Sequence, residues 1–174
     1  MERENAVTMK GNPLTLIGES VKIGQQAPDF KAVANDLTQV QLTKFLGKTI
    51  VISAVPSLDT PVCDRETRRF NEEAAKFGKD VVVLTVSMDL PFAQKRWCGA
   101  ANIENVTTIS DYQQADFGTK YGLLIKGLRL LARAVIVIDP KGTIQYVQVV
   151  PEISQEPDYE PVLDAVKRTC AVEV

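Results

Sequence analysis

Cys63 closes the stretch Pro56-Ser57-Leu58-Asp59-Thr60-Pro61-Val62-Cys63, between a strand-like run from Thr49 to Val55 and a helix-like run from Asp64 to Gly78. At a strand-to-helix turn, backbone N–H groups and the helix dipole favour a thiolate, the reactive form of cysteine. Thr60 followed by Pro61 has the pattern of an N-cap and a first helical residue, which puts Cys63 in the first turn. Position alone makes Cys63 a candidate nucleophile. The sequence contains no histidine, so Ser-His-Asp and Cys-His catalysis, histidine-ligated haem and the usual zinc sites are excluded. No cofactor or metal is expected. The other cysteines are Cys98 and Cys170; an odd total of three speaks against a disulfide framework and for catalytic or incidental thiols. No two of them form a C-x-x-C pair.

The elements that must position these residues follow from hydrophobic period and turn chemistry. Val7 to Ile17 surrounds Lys10-Gly11-Asn12-Pro13 and reads as an N-terminal β-hairpin. Gly24 to Phe30 is a loop, and Ala32, Leu37, Val40 and Leu42 follow in short or irregular pieces. Lys48 to Val55 and Asp80 to Met88 are buried strands. Between them Phe70, Ala74 and Phe77 have helical spacing up to a stop at Gly78. Asp89 with Pro91 starts a helix that carries Trp97 and Cys98 and ends at Gly99. A short strand over Val106 to Ile109 and a helix from Gln113 to Tyr121 come next. Ala134 to Ile138 and Thr143 to Val150 flank Asp139-Pro140-Lys141-Gly142 as an antiparallel hairpin, and Glu160 to Cys170 closes the chain as a helix. This order describes an α/β fold, a mixed central sheet flanked by helices.

At 174 residues, 45% of them hydrophobic and 24% charged, the sequence fits one soluble domain over 1–174. Twenty Lys and Arg against 22 acids give no field that would draw in nucleic acid or an anionic membrane. The charged start Met1-Glu2-Arg3-Glu4-Asn5 is unlike a secretory signal, and no apolar run approaches the roughly 18 residues of a spanning helix. A cytoplasmic protein is expected, without membrane insertion.

Pro56-x-x-x-Thr60-x-x-Cys63 resembles the active-site pattern of the peroxiredoxins, and Gly24-x-x-Ala27-Pro28-Asp29-Phe30 is similar to their opening segment. The run from Phe92 to Ala100, the N-terminal hairpin and Leu130-Leu131-Ala132-Arg133-Ala134 are similar to the bacterial thiol peroxidase subfamily. The resemblance covers nearly the whole chain. It implies a thioredoxin-like fold and reduction of H2O2 and organic hydroperoxides by Cys63. It also implies an intramolecular disulfide with Cys98 as resolving cysteine, thioredoxin as reductant, and a homodimer. Cys170 has no role in that pattern. A non-enzymatic peroxide sensor and a protein thiol–disulfide oxidoreductase are the competing readings, and the missing C-x-x-C speaks against the second.

Arithmetic then says what the neighbours of Cys63 must do. A free cysteine with a pKa near 8.5 is only a few per cent ionised at neutral pH, so lowering that pKa by about three units gains roughly 30-fold in thiolate. The accompanying fall in nucleophilicity, with a Brønsted slope of about 0.4–0.5, removes about 20-fold. The two nearly cancel. The site must therefore act on the transition state, with donors aimed at the O–O bond. Arg133 can hold both sulfur and peroxide oxygens, the Thr60 hydroxyl can orient the peroxide, and Pro56 can shape the loop and keep water off the sulfur. Plainer roles stand beside these: Thr60 as a cap alone, Pro56 as a turn proline, Arg133 as a solvated strand-end residue with Arg129 as its rival. Trp97 reads as core or interface, and Cys170 as a small buried side chain. Leu58, Val62, Leu123 and Leu124 as apolar neighbours lean the reading towards organic hydroperoxides.

Overall fold

The computed structural model describes residues 1–171. The N-terminal hairpin pairs β1 (Glu2–Met9) with β2 (Asn12–Ile17) across the two-residue turn Lys10-Gly11. Both turn residues have positive φ, 50° and 83°, the twist that a tight antiparallel connection requires. Pro13 lies inside β2 rather than in the turn. Next come β3 (Lys31–Ala34), β4 (Gln39–Gln41), a short 3₁₀ turn (Leu42–Phe45) and β5 (Thr49–Ala54). The helix α1 (Pro61–Phe77) stops at Gly78, whose φ of 85° few other residues tolerate. After β6 (Val81–Ser87) and α2 (Pro91–Ala101) come β7 (Thr107–Ser110), α3 (Asp116–Lys120), β8 (Leu124–Ile125), β9 (Ala134–Ile138), β10 (Ile144–Val149) and α4 (Tyr159–Ala171).

The central sheet runs β10-β9-β5-β6-β7-β3-β4, with β5, β6 and β7 parallel and the remaining pairs antiparallel. Alternate residues of its middle strands feed two cores. Val51, Val83, Val135 and Val137 face α1, α2 and α4, together with Phe70, Trp97 and Val162. Ile50, Ile52, Leu84, Val86 and Ile136 face the other side, where Phe30, Phe117 and Tyr121 pack edge-on and stacked. Burial on both faces explains why these strands read as continuous apolar runs.

Three expectations are corrected. The helix of Cys98 does not end at Gly99. It continues to Ala101, where Asn102 takes a left-handed conformation and Ile103 N–H returns to the Cys98 carbonyl at 3.0 Å. The helix expected from Gln113 begins only at Asp116, because the buried carboxylate of Asp111 accepts from Phe117 N and Gly118 N (3.0 and 2.8 Å) and Ala115 is left-handed. The hairpin also gains a third strand, β8, paired to β2 through Leu16–Ile125 and Ile17–Leu124.

No helix among the described residues is long and apolar enough to cross a membrane.

Candidate active site

Pro56 and Leu58 are buried in the turn that leaves β5, and Thr60 caps α1 as its sequence pattern requires. Cys63 N–H donates to Thr60 Oγ1 at 3.2 Å, and the same hydroxyl donates to the Ser57 carbonyl at 3.2 Å. The hydroxyl proton is thus committed to the backbone. One lone pair remains for a further donor. Cys63 is fully buried in the first turn, its sulfur turned into the protein.

There it meets Arg133, which sits immediately before β9. Arg133 Nη2 donates to Cys63 Sγ at 3.2 Å, Nη1 to Glu66 Oε2 at 2.5 Å, and Nε and Nη2 to the Ile153 carbonyl at 3.0 and 2.8 Å. Glu66 Oε1 in turn accepts from Ser53 Oγ of β5 at 3.2 Å. Arg133 is 1% exposed and Glu66 is fully buried, so the guanidinium is no solvated strand-end group. Burial pushes the Glu66 carboxyl up to about 7, with the charge and hydrogen bond of Arg133 pulling it back only in part. Arg133, held among Glu66 and Cys63, stays above the usual guanidinium value despite its burial. The arrangement presents a fixed cation and a helix N-terminus to one sulfur, donors placed to stabilise negative charge that develops in a transition state.

The frame behind Arg133 was not legible in the sequence. Glu152 accepts from Lys10 N (3.0 Å), Gly11 N (2.8 Å) and Thr8 Oγ1 (2.9 Å), and Ile153 N donates to the Thr8 carbonyl at 2.9 Å. The N-terminal hairpin thereby fixes the loop whose Ile153 carbonyl orients the guanidinium. Glu66 was equally missed, although its i, i+3 spacing from Cys63 puts the two on one helix face. Asp89, expected to start α2, does something else. Its carboxylate accepts from Ser57 Oγ (2.7 Å), Leu58 N (2.8 Å) and Ser87 Oγ (2.7 Å), tying the Cys63 turn to the segment before α2.

Cys98 lies elsewhere. It is half-buried, within 3.6 Å of Thr108 Oγ1 on β7, and burial pushes its thiol up. Arg133 enters beside β9 and Thr108 lies on β7, so β5 and β6 separate the two anchors, about 14 Å at ordinary strand spacing. Cys63, Cys98 and Cys170 are all free thiols. Arg129 is exposed, with a φ of 58°, and makes no contact with the sulfur. Leu123 and Leu124 do not line the site: Leu123 belongs to the core on the other face, and Leu124 is buried in β8.

The model of the Redoxin family matches residues 22–163. The sequence is 55% identical to the thiol peroxidase of Oceanobacillus iheyensis over 90% of this chain and 95% of that protein. It is 52% identical to the thiol peroxidase of Bacillus subtilis over 92% of this chain and 96% of that protein. Among solved structures, a peroxiredoxin-like protein from Aquifex aeolicus superposes with a TM-score of 0.89 at 48% identity, covering 95% of this chain and 97% of that one. A thiol peroxidase from Chromobacterium violaceum, at 21% identity and a TM-score of 0.82, covers 93% of this chain and 95% of that one and shares the fold.

Proposed function

The chain belongs to the Redoxin family, as a bacterial-type thiol peroxidase of the peroxiredoxins, and on that premise we propose that Cys63 reduces hydroperoxides in a site completed by Arg133, Thr60 and Pro56. The observation that carries the reading is the 3.2 Å contact from Arg133 Nη2 to the buried Cys63 sulfur. The thiolate attacks the terminal oxygen of ROOH, an S–O bond forms, the O–O bond breaks, and RO⁻ leaves to take a proton as ROH. Charge moves from sulfur to oxygen along that line. A guanidinium already pinned by Glu66 and Ile153 stabilises it without reorganising. Thr60, its proton held by Ser57, offers its remaining lone pair to the O–H of the substrate. Pro56 closes the turn behind it.

The Cys63 sulfenic acid then condenses with the Cys98 thiol. The S–S bond forms, the S–O bond breaks, and the oxygen leaves as water with the thiol proton. A disulfide requires Cα atoms within about 7 Å, so helical structure around one or both cysteines unwinds for this step. Burial that pushes the Cys98 thiol up fits a group that reacts only after it is released. The reading extends to a single domain over 1–174 that acts on H2O2 and organic hydroperoxides, to thioredoxin as the reductant of the disulfide, and to a cytoplasmic homodimer. Leu90 and Phe92, 52% and 67% exposed at the start of α2, supply apolar surface for such contacts.

The test is peroxide consumption by the purified protein with a thioredoxin system. Sustained turnover is expected. Oxidation of the protein without turnover would favour a sensor, and insulin reduction without peroxide a protein oxidoreductase.

Thr60 separates its cap from its substrate role. Thr60→Asn still caps, so its stability stays near that of the parent, whereas Thr60→Val loses about 1 kcal/mol. Both are expected to slow Cys63 oxidation about tenfold, the worth of one well-placed hydrogen bond, as read by stopped flow. Full speed in Thr60→Asn would reduce Thr60 to a cap.

A further inference from the structure

Asp64 follows Cys63, Trp97 precedes Cys98, and these two neighbours hold each other. Trp97 Nε1 donates to Asp64 Oδ2 at 3.2 Å. Arg68, one turn further along α1, donates to Asp64 Oδ1, and its guanidinium lies 5.8 Å from the centre of the Trp97 ring. The clasp therefore joins the first two turns of α1 to the last third of α2. Trp97 is also the last of the buried side chains of α2, after Pro91 and Gln94. Beyond it only the turn from Cys98 to Ala101 remains, and it contains Gly99, which weakens a helix interior by about 1 kcal/mol relative to alanine.

Successive residues on a helix are about 100° apart, so when Asp64 and Trp97 face each other, the sulfurs beside them point away from that seam. They do: Cys63 turns to Arg133 and Cys98 to Thr108. The two sulfurs cannot meet while the clasp keeps both helical turns in register.

We propose that the Trp97–Asp64–Arg68 clasp is the gate of the resolving step. It holds the reduced enzyme closed, and its opening governs how long the Cys63 sulfenic acid waits for Cys98. This rests on Cys98 being the resolving cysteine. Asp89, by contrast, ties the Cys63 turn to the other end of α2 and acts as the fixed end of the swing. A slow clasp lengthens the life of the sulfenic acid, which a second peroxide converts to the sulfinic acid. Trp97 and Asp64 are thus positioning residues that act through Cys98, not groups that touch the substrate.

The test uses Trp97→Phe, which keeps an aromatic ring but removes the N–H, and Asp64→Ala, which keeps the indole. Rapid-quench mass spectrometry separates Cys63 oxidation from formation of the Cys63–Cys98 disulfide. The expected result is a disulfide step about three- to tenfold faster in each variant, the net worth of one ordinary hydrogen bond. Less sulfinic acid should appear at high peroxide, and the equilibrium with dithiothreitol should shift by the same factor towards the disulfide. The double variant should gain little over either single one. Variants that lose stability equally in both redox forms, with disulfide rate and dithiol equilibrium unmoved, overturn the clasp. A wild-type protein that forms no Cys63–Cys98 disulfide overturns the resolving reading itself, and the clasp with it.

Discussion

Cys98→Ser is expected to stop turnover with thioredoxin while leaving a single burst of peroxide consumption, equal to one per chain. The substitution is close to isosteric and keeps a polar atom beside Thr108 Oγ1, so the protein should fold as before. On the proposed mechanism the first chemical step needs only Cys63, Arg133 and Thr60, all untouched. What would be lost is the thiol proposed to expel water from the sulfenic acid. Without it the oxidised cysteine waits, and excess peroxide drives it to the sulfinic acid, visible as a mass gain on the Cys63 peptide. Cys170 cannot substitute within the chain. Its sulfur lies 3.7 Å from Thr49 Oγ1, at the start of β5, while Cys63 follows the far end of that strand, roughly 16 Å along at the usual rise per residue. Undiminished turnover in Cys98→Ser would mean that an external thiol attacks Cys63 directly.

Arg133→Met should cost about 10²–10³ in the rate of Cys63 oxidation, the usual loss on removing one pre-aimed donor from a developing anion. It should also cost stability, rising towards about 3–5 kcal/mol only well above pH 7, where Glu66 would be left as an unpaired buried carboxylate. The second effect carries a pH signature. Glu66 already titrates near 7 when paired, well above its unfolded value near 4.5, so it adds stability below about pH 4.5 that is lost as pH rises through 7. Removing the arginine raises that folded value further. The stability gap between wild type and variant should therefore be small near pH 5, where Glu66 is protonated in both, and widen as pH rises through 7. Urea melts at several pH values measure it. Arg133→Lys sorts charge from geometry: one ammonium cannot reproduce four bonds to Cys63, Glu66 and Ile153 from a planar fork. Wild-type speed in Arg133→Lys would mean that positive charge alone suffices.

The two cores of the central sheet, the helix that begins at Pro61 and the pairing of Thr60 with Cys63 follow from local signals, namely apolar runs, a capping pattern and a stop glycine. These depend on residues close in sequence. The frame of Arg133 depends on residues that are not. Cys63 and Arg133 are 70 residues apart, and nothing local predicts that the Ile153 backbone carbonyl, fixed by Glu152 to the N-terminal turn, orients the guanidinium. Gly99 looked like a helix stop, but the stop falls at Asn102, where Ile103 N–H can reach back to Cys98. Asp89 with Pro91 reads as a helix start, but three donors of the Cys63 turn and β6 claim its carboxylate. Polar residues with several possible partners are settled by the tertiary fold.

The most direct test of the account adds one equivalent of an organic hydroperoxide to the fully reduced protein and maps its peptides under non-reducing conditions. The Cys63 and Cys98 thiols are expected to disappear together into one intrachain disulfide, Cys170 to stay free, and Cys63→Ser to consume no peroxide. Oxidation at Cys98 or Cys170 with Cys63 intact, or equal consumption by Cys63→Ser, would contradict it.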